Sequence, residues 1–215
     1  MIQRQIVLPW EQVLRIAYNS IRVRFTRCLI TTLTLVLAVS FVSYTWSTYA
    51  ILNSLWPHAS NSLQDRILSS GFEISAGRFG SNPKDLWLAL LSLLVCVVGI
   101  VNAQLMAVTE RYREIGTFKC LGALNSFVVR IFVVEALYQG LVGGIAGSLV
   151  GILISTLSLA AKFGPGIFSY WPAMAMATTF GWSCTLAVVL SLLGVIYPAI
   201  EAARMPPAIA LRNEE

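Results

Sequence analysis

The chain has 215 residues, of which 57% are apolar and only 12% charged, with a formal net charge of +5. So little charge cannot cover the surface of a water-soluble domain of this length, which excludes an ordinary globular enzyme or binding module. The positive balance is not gathered into a basic patch interleaved with aromatics, so no nucleic-acid partner is expected.

Residues 1–27 are predicted to be a cytoplasmic amphipathic helix, regular over 9–27. Trp10, Val13, Leu14, Ala17, Tyr18, Ile21 and Phe25 recur at helical spacing, with Glu11, Gln12, Arg15, Asn19 and Arg22 opposite. A basic helix of this kind lies in the headgroup plane, anchored by Trp10 and Tyr18. It serves either as a positional anchor or as a lever joining a cytoplasmic partner to the first span.

Four apolar runs follow, at 28–52, 86–108, 127–161 and 171–200. The first, second and fourth hold no charge, and the third carries one acid, Glu135. About 20 apolar residues suffice to cross roughly 30 Å of hydrocarbon. Backbone groups in lipid must bond within their own segment, so each run is predicted to be a transmembrane helix. The fold class is therefore an all-α membrane protein with four transmembrane helices.

Charge orients the spans. Eleven basic residues fall in 1–27, 109–130 and 201–215, whereas Arg66, Arg78, Lys84 and Lys162 are the only four elsewhere. The positive-inside rule places both termini and the loop 109–126 in the cytoplasm, with 201–215 as a cytoplasmic tail. The loops 53–85 and 162–170 then lie outside. The first has 33 residues, too few for an independent domain, and offers a short helical candidate at 63–68. The second carries the turn Gly164-Pro165-Gly166.

Cys28 and Cys120 fall at or beyond the cytoplasmic face, and Cys96 and Cys184 lie inside apolar runs. No disulfide framework is expected, and their spacing fits no zinc pattern. Buried small hydrophobes is the preferred reading. In the third run, Gly140, Gly143, Gly144, Gly147 and Gly151 form a ladder of small-xxx-small steps, which lets another helix approach closely. That helix is either a span of the same chain or part of a second copy. Ser40, Ser43 and Ser47 make a stripe on the first span, suited to interhelical hydrogen bonding in preference to a polar path.

The sequence lacks the usual chemistry-bearing motifs. His58 is the sole histidine, so no histidine cluster can hold a metal, and no Gly-Lys dipeptide exists from which to build a phosphate-cradling loop. No Gly-x-Ser-x-Gly nucleophile elbow occurs. Glu135 stands alone among acids in the spans, near a helix end, and is expected to anchor against Arg130 or a neighbouring loop instead of carrying protons.

The loop after the second run reads Thr109-Glu110-Arg111-Tyr112-Arg113-Glu114-Ile115-Gly116-Thr117-Phe118-Lys119-Cys120-Leu121-Gly122-Ala123. This resembles the E-R-x-R-E-I-G-x-x-x-x-x-G-A signature of the FtsX/MacB-type (type VII) ABC transporter permeases. The likeness continues through Glu135-Ala136 and the glycine ladder. It ends on Tyr197-Pro198-Ala199, Ala202-Ala203-Arg204, Pro207 and Ala210-Leu211-Arg212. It covers 86–215 well and the first span loosely. Family members generally carry a large extracytoplasmic domain between the first two spans, where this chain has the 33-residue loop, so it is read as a short member.

The resemblance implies a permease subunit of an ABC transporter-like complex in a bacterial inner membrane. A dimeric ABC ATPase would bind the ATP and Mg. Glu110, Arg111, Arg113, Glu114, Ile115, Gly116, Gly122 and Ala123 would form a coupling helix that seats in it. The alternating charges offer both signs to a protein partner, and the two glycines permit sharp breaks around a short helix. A second permease copy or paralogue and a separate extracytoplasmic subunit would complete the assembly within membrane lipid. The expected output is export or extraction of a lipid, lipoprotein or amphiphile, or activation of an outer partner. The alternative is a non-transport tetraspan scaffold that assembles other membrane proteins through the glycine face.

Overall fold

A computed structural model describes residues 25–59, 61–72, 74–75, 78–80, 82–120, 124–164, 167 and 171–204. The amphipathic helix expected over 9–27 falls outside these, apart from its last three residues.

Helix α1 spans Phe25–Leu55 and gives way to a single 3₁₀ turn, Trp56–His58. Pro57 has no N–H to continue the α ladder, which accounts for the change. A short helix α2, Asn61–Ser69, covers the 63–68 candidate and is followed by Gly71, whose φ of +83° suits a glycine at a helix end. A two-residue antiparallel hairpin, β1 (Ile74–Ser75) and β2 (Arg78–Phe79), pairs Ile74 with Phe79 and Ser75 with Arg78.

Helix α3, Pro83–Glu110, opens with proline at its first position and Asp85 in the first turn, both favoured at helix starts. Helix α4, Tyr112–Cys120, follows after one residue. Helix α5, Asn125–Phe163, stops at Gly164, whose φ is +91°. Helix α6, Ala173–Arg204, holds Pro198 inside its last turns. Four of these helices, α1, α3, α5 and α6, are long and apolar enough to cross a membrane. Across the most apolar 18 residues of α3 only 11% are buried, and Leu86, Trp87, Leu91, Leu94, Val95 and Val98 point outward as a lipid-facing helix allows.

The described residues fall into two compact units, with 25–34, 96–141 and 188–204 in one and 35–95 and 142–187 in the other. Each long helix contributes to both. In the second unit, Ile51, Leu52, Ile67, Phe79, Leu159, Ile167 and Met176 form the core, and the Trp56 and Phe79 rings meet edge to face at 5.1 Å. Asn53 grips the hairpin: it accepts from the Phe79 N–H at 2.8 Å and donates to the Phe79 carbonyl at 3.0 Å. The Tyr49 hydroxyl donates to the Asp85 carboxylate and accepts from the Asn82 N–H.

The glycine ladder faces other spans of the same chain. A Cβ at Gly143 would lie 2.6 Å from the Leu35 side chain, and one at Gly147 would lie 2.9 Å from the Val36 carbonyl oxygen. One at Gly151 would lie 2.5 Å from the Ser40 carbonyl oxygen. Gly144 takes the Ala187 methyl and Cys184 backbone of α6, at 3.0 and 3.1 Å from its own would-be Cβ. In the first unit Gly140 meets Val188 at 2.9 Å in the same way. Within the serine stripe, Ser43 donates to the Ser148 carbonyl at 3.2 Å, whereas the buried Ser47 hydroxyl has no partner among the described residues.

Candidate functional site

The segment after α3 lies in the first unit. The buried face of α3 runs Cys96, Ile100, Gln104, Ala107 and Val108, a helical stripe that ends on Arg111. The Arg111 N–H is shared between the Ala107 and Val108 carbonyls, which closes α3. Its own carbonyl accepts from the Ile115 N–H at 2.9 Å, which opens α4. Arg111 is thus the joint between the two helices.

Its side chain corrects an expectation. Arg111 does not offer its charge outward: it is 6% exposed, and its Nη1 donates to Oε2 of Glu135 on α5 at 3.1 Å. The cause is register, since the residue extends the buried stripe of α3. Of the two anchors expected for Glu135, the neighbouring loop supplies this one, since Arg111 lies in 109–126, and Arg130 is exposed on α5 itself. The second Glu135 oxygen faces the Cys28 thiol of α1 at 3.9 Å. One helical turn beyond Glu135, Gln139 accepts from the Gln104 amide at 3.2 Å. Among the described residues, Arg111 Nε, Arg111 Nη2 and Gln104 Oε1 meet no hydrogen-bond partner, so the ion pair is a one-point contact. The Arg111 Cζ lies over the Phe132 ring, 5.9 Å from the ring centre.

The rest of α4 is fastened too. Ile115 enters the core formed by Val108, Val128, Phe132, Ala136, Val195, Ala199 and Ala202. Gly116 is buried beside it. In the last turn, the Lys119 ammonium donates to the Ala203 carbonyl of α6 at 2.5 Å, and burial lowers its pKa from the ordinary lysine value. Of the remaining expected coupling residues, Glu110 is exposed at the end of α3, and Arg113 and Glu114 lie in the first turns of α4. Gly122 and Ala123 fall outside the described residues.

Two of the cysteines are buried, Cys28 and Cys96, and Cys184 is half-buried. Cys120 differs from the expectation of a buried small hydrophobe, because it ends α4 on the exposed side. Sequence reasoning missed Gln104, Gln139 and Cys28 as partners in this cluster. The available signal was polar side chains inside otherwise apolar runs, with Glu135 and Gln139 one turn apart on a single face.

The pattern of the FtsX-like permease C-terminal region matches residues 86–207. An uncharacterized ABC transporter permease of Methanocaldococcus jannaschii is 38% identical over 133 residues, 59% of this chain and 31% of that protein. The macrolide export ATP-binding/permease protein MacB of Escherichia coli is 34% identical over 134 residues, covering 60% of this chain and 19% of MacB. MacB of Rhodopirellula baltica is 37% identical over 135 residues, again 19% of its length. The chain thus matches between a fifth and a third of these relatives. With the match spanning the last three membrane helices and the segment that holds α4, this chain is a multi-pass membrane protein that belongs to the FtsX-like permease family.

Proposed function

We propose that the chain is the permease subunit of an ABC transporter-like complex. It would relay the ATP-driven motion of a separate dimeric ATPase through its spans. One observation carries this reading: α4, which bears the family signature, is tied at its start to α5 through Arg111 and at its end to α6 through Lys119. A displacement of α4 is therefore shared with two membrane helices instead of being absorbed in a slack loop. Glu110, Arg113 and Glu114 supply the charge for ATPase docking, with both termini and α4 cytoplasmic as the basic residues require. ATP and Mg belong to the ATPase, since the chain has no phosphate-cradling loop.

The relatives named for both ATP binding and permease function are far longer, and the matched fifth corresponds here to the permease part. A second permease copy or paralogue completes the membrane unit, and a separate extracytoplasmic subunit takes the place of the domain that the outer loop is too short to form. The output is extraction or export of a lipid, lipoprotein or amphiphile, or activation of an outer partner, at a bacterial inner membrane. The scaffold alternative loses ground because both faces of the glycine ladder already pack within the chain.

The experiment is affinity purification of the full chain from its native membrane in mild detergent, with assay of vanadate-sensitive ATP hydrolysis. An ABC ATPase should be retained by the parent and lost in Arg113→Glu, with membrane insertion unchanged. A parent that retains no ATPase, or a variant that retains it fully, would overturn the reading.

A further inference from the structure

We propose that Arg111 is a positioning residue whose pairing with Glu135 sets the angle at which α4 leaves the second span, and so carries movement of α4 into α5. This deepens the permease reading and rests on it.

The argument begins with the backbone. Arg111 is both the residue that closes α3 and the one whose carbonyl starts α4. Any change in the angle between the two helices must therefore act at Arg111. Its side chain is not free to follow, being 6% exposed with its charge on a carboxylate that is 3% exposed. A single buried charge is very costly, whereas a pair is tolerated when its geometry is held. Such pairs are often neutral for stability, and their best-attested use is to fix a register or a switch.

The geometry suits a joint and not a rigid bracket. One guanidinium nitrogen touches one carboxylate oxygen at 3.1 Å, and Nε and Nη2 meet no partner among the described residues. A one-point contact lets the two side chains swivel about each other while they stay paired, which a two-point fork would resist. Around it, Gln104 and Gln139 hold α3 against α5 nearer the middle of the helices, at 3.2 Å. The amide contact fixes the helix pair, and the ion pair fixes what departs from its end. The Cys28 thiol on the other carboxylate oxygen brings α1 to the same point.

The test uses the full chain with Cys184→Ala, leaving Cys120 at the end of α4 as the accessible thiol for a nitroxide spin label. Removing one partner alone leaves an uncompensated charge, so the informative variant is Arg111→Met/Glu135→Met, which removes both. It should insert and melt close to the parent, yet the Cys120 label should become more mobile. Arg111→Lys, which can keep a one-point contact, should retain the parent's spectrum. In the purified complex the double variant should retain the ATPase while stimulated hydrolysis falls about tenfold or more, the scale of a lost coupling.

A parent-like spectrum or parent-like stimulated hydrolysis in the double variant overturns the proposal. A label as mobile in Arg111→Lys as in the double variant also overturns it, because pairing and not side-chain shape is the claim. Should that double variant fail to insert, Arg111→Gln/Glu135→Gln likewise removes both charges and is held to the same outcomes. A parent that retains no ATPase sinks the permease reading, while the label mobility still decides the joint.

Discussion

Gly151 and Ser40 bring two membrane-spanning helices into backbone contact: a Cβ at Gly151 would lie 2.5 Å from the Ser40 carbonyl oxygen and 2.7 Å from the Ser43 Cβ. Those neighbours are backbone and a helix-bound Cβ, which cannot swing aside. Gly151→Ala should therefore push α1 and α5 apart and destabilise the chain by about 1–3 kcal/mol, the usual cost of overpacking. Gly99 and Gly181 have nothing within 4 Å of a would-be Cβ, so Gly99→Ala and Gly181→Ala serve as controls with no such loss. Thermal unfolding in detergent gives the comparison. Equal stability of Gly151→Ala and the controls would remove the close approach.

The four spans were legible because apolar runs of this length with almost no charge have no other stable home. The short helix α4 was legible from the family signature, and α2 from its local pattern. The direction of Arg111 was harder to see. Charge alternation through Glu110, Arg111, Arg113 and Glu114 suggests a solvated face, and nothing in a count of charges says which residue turns inward. Periodicity did hold the answer: Gln104, Ala107, Val108 and Arg111 stand at helical spacing and are all buried. The partner remained hidden because Glu135 lies 24 residues away in sequence, and pairing across helices depends on their relative rotation. The two sides of the glycine ladder were equally open in sequence, since small-xxx-small steps favour close approach without naming the neighbour.

The proposed topology makes a labelling prediction. With Cys120 and Cys184 replaced by alanine, Asn61→Cys should react with a membrane-impermeant maleimide in intact cells. Asn125→Cys should react only after permeabilisation. Both positions are exposed, so access is limited by the membrane and not by packing. The opposite pattern would reverse the assignment made from basic residues.

The chain purified free of other subunits should hydrolyse no ATP, because nothing in its sequence can cradle the phosphates. Turnover that persists in a preparation shown by mass spectrometry to lack any ATPase would defeat this expectation.

Asn53 makes two hydrogen bonds to the backbone of Phe79 and so fastens the hairpin to the end of α1. Asn53→Ala leaves the Phe79 N–H and carbonyl without that partner, at an expected cost of about 1–3 kcal/mol. Asn53→Asp retains the acceptor for the Phe79 N–H and should lose less. Faster protease cleavage in 70–82 should accompany the alanine change. Identical cleavage and melting in Asn53→Ala would show that the hairpin is held by the packing of Phe79 alone.

The Gln104–Gln139 contact joins α3 to α5 through one amide hydrogen bond of 3.2 Å between side chains that are 3% and 8% exposed. Side-chain hydrogen bonds between membrane helices average about 0.6 kcal/mol and reach about 1.7 kcal/mol at most, because the separated helices find other partners. This pair should lie toward the upper end, since a single replacement strands a buried amide group that water cannot reach. Gln104→Leu removes the donor and leaves the Gln139 oxygen unpaired, and Gln139→Leu strands the Gln104 amide in turn. The double variant strands neither, so it should be more stable than the sum of the single losses predicts. A double-mutant cycle by denaturation in mixed micelles measures that difference directly, with Arg111 and Glu135 left intact so that the ion pair is common to all four proteins. Strictly additive losses would mean that the two amides do not act on each other, and α3 would then be held to α5 by apolar packing and the ion pair alone.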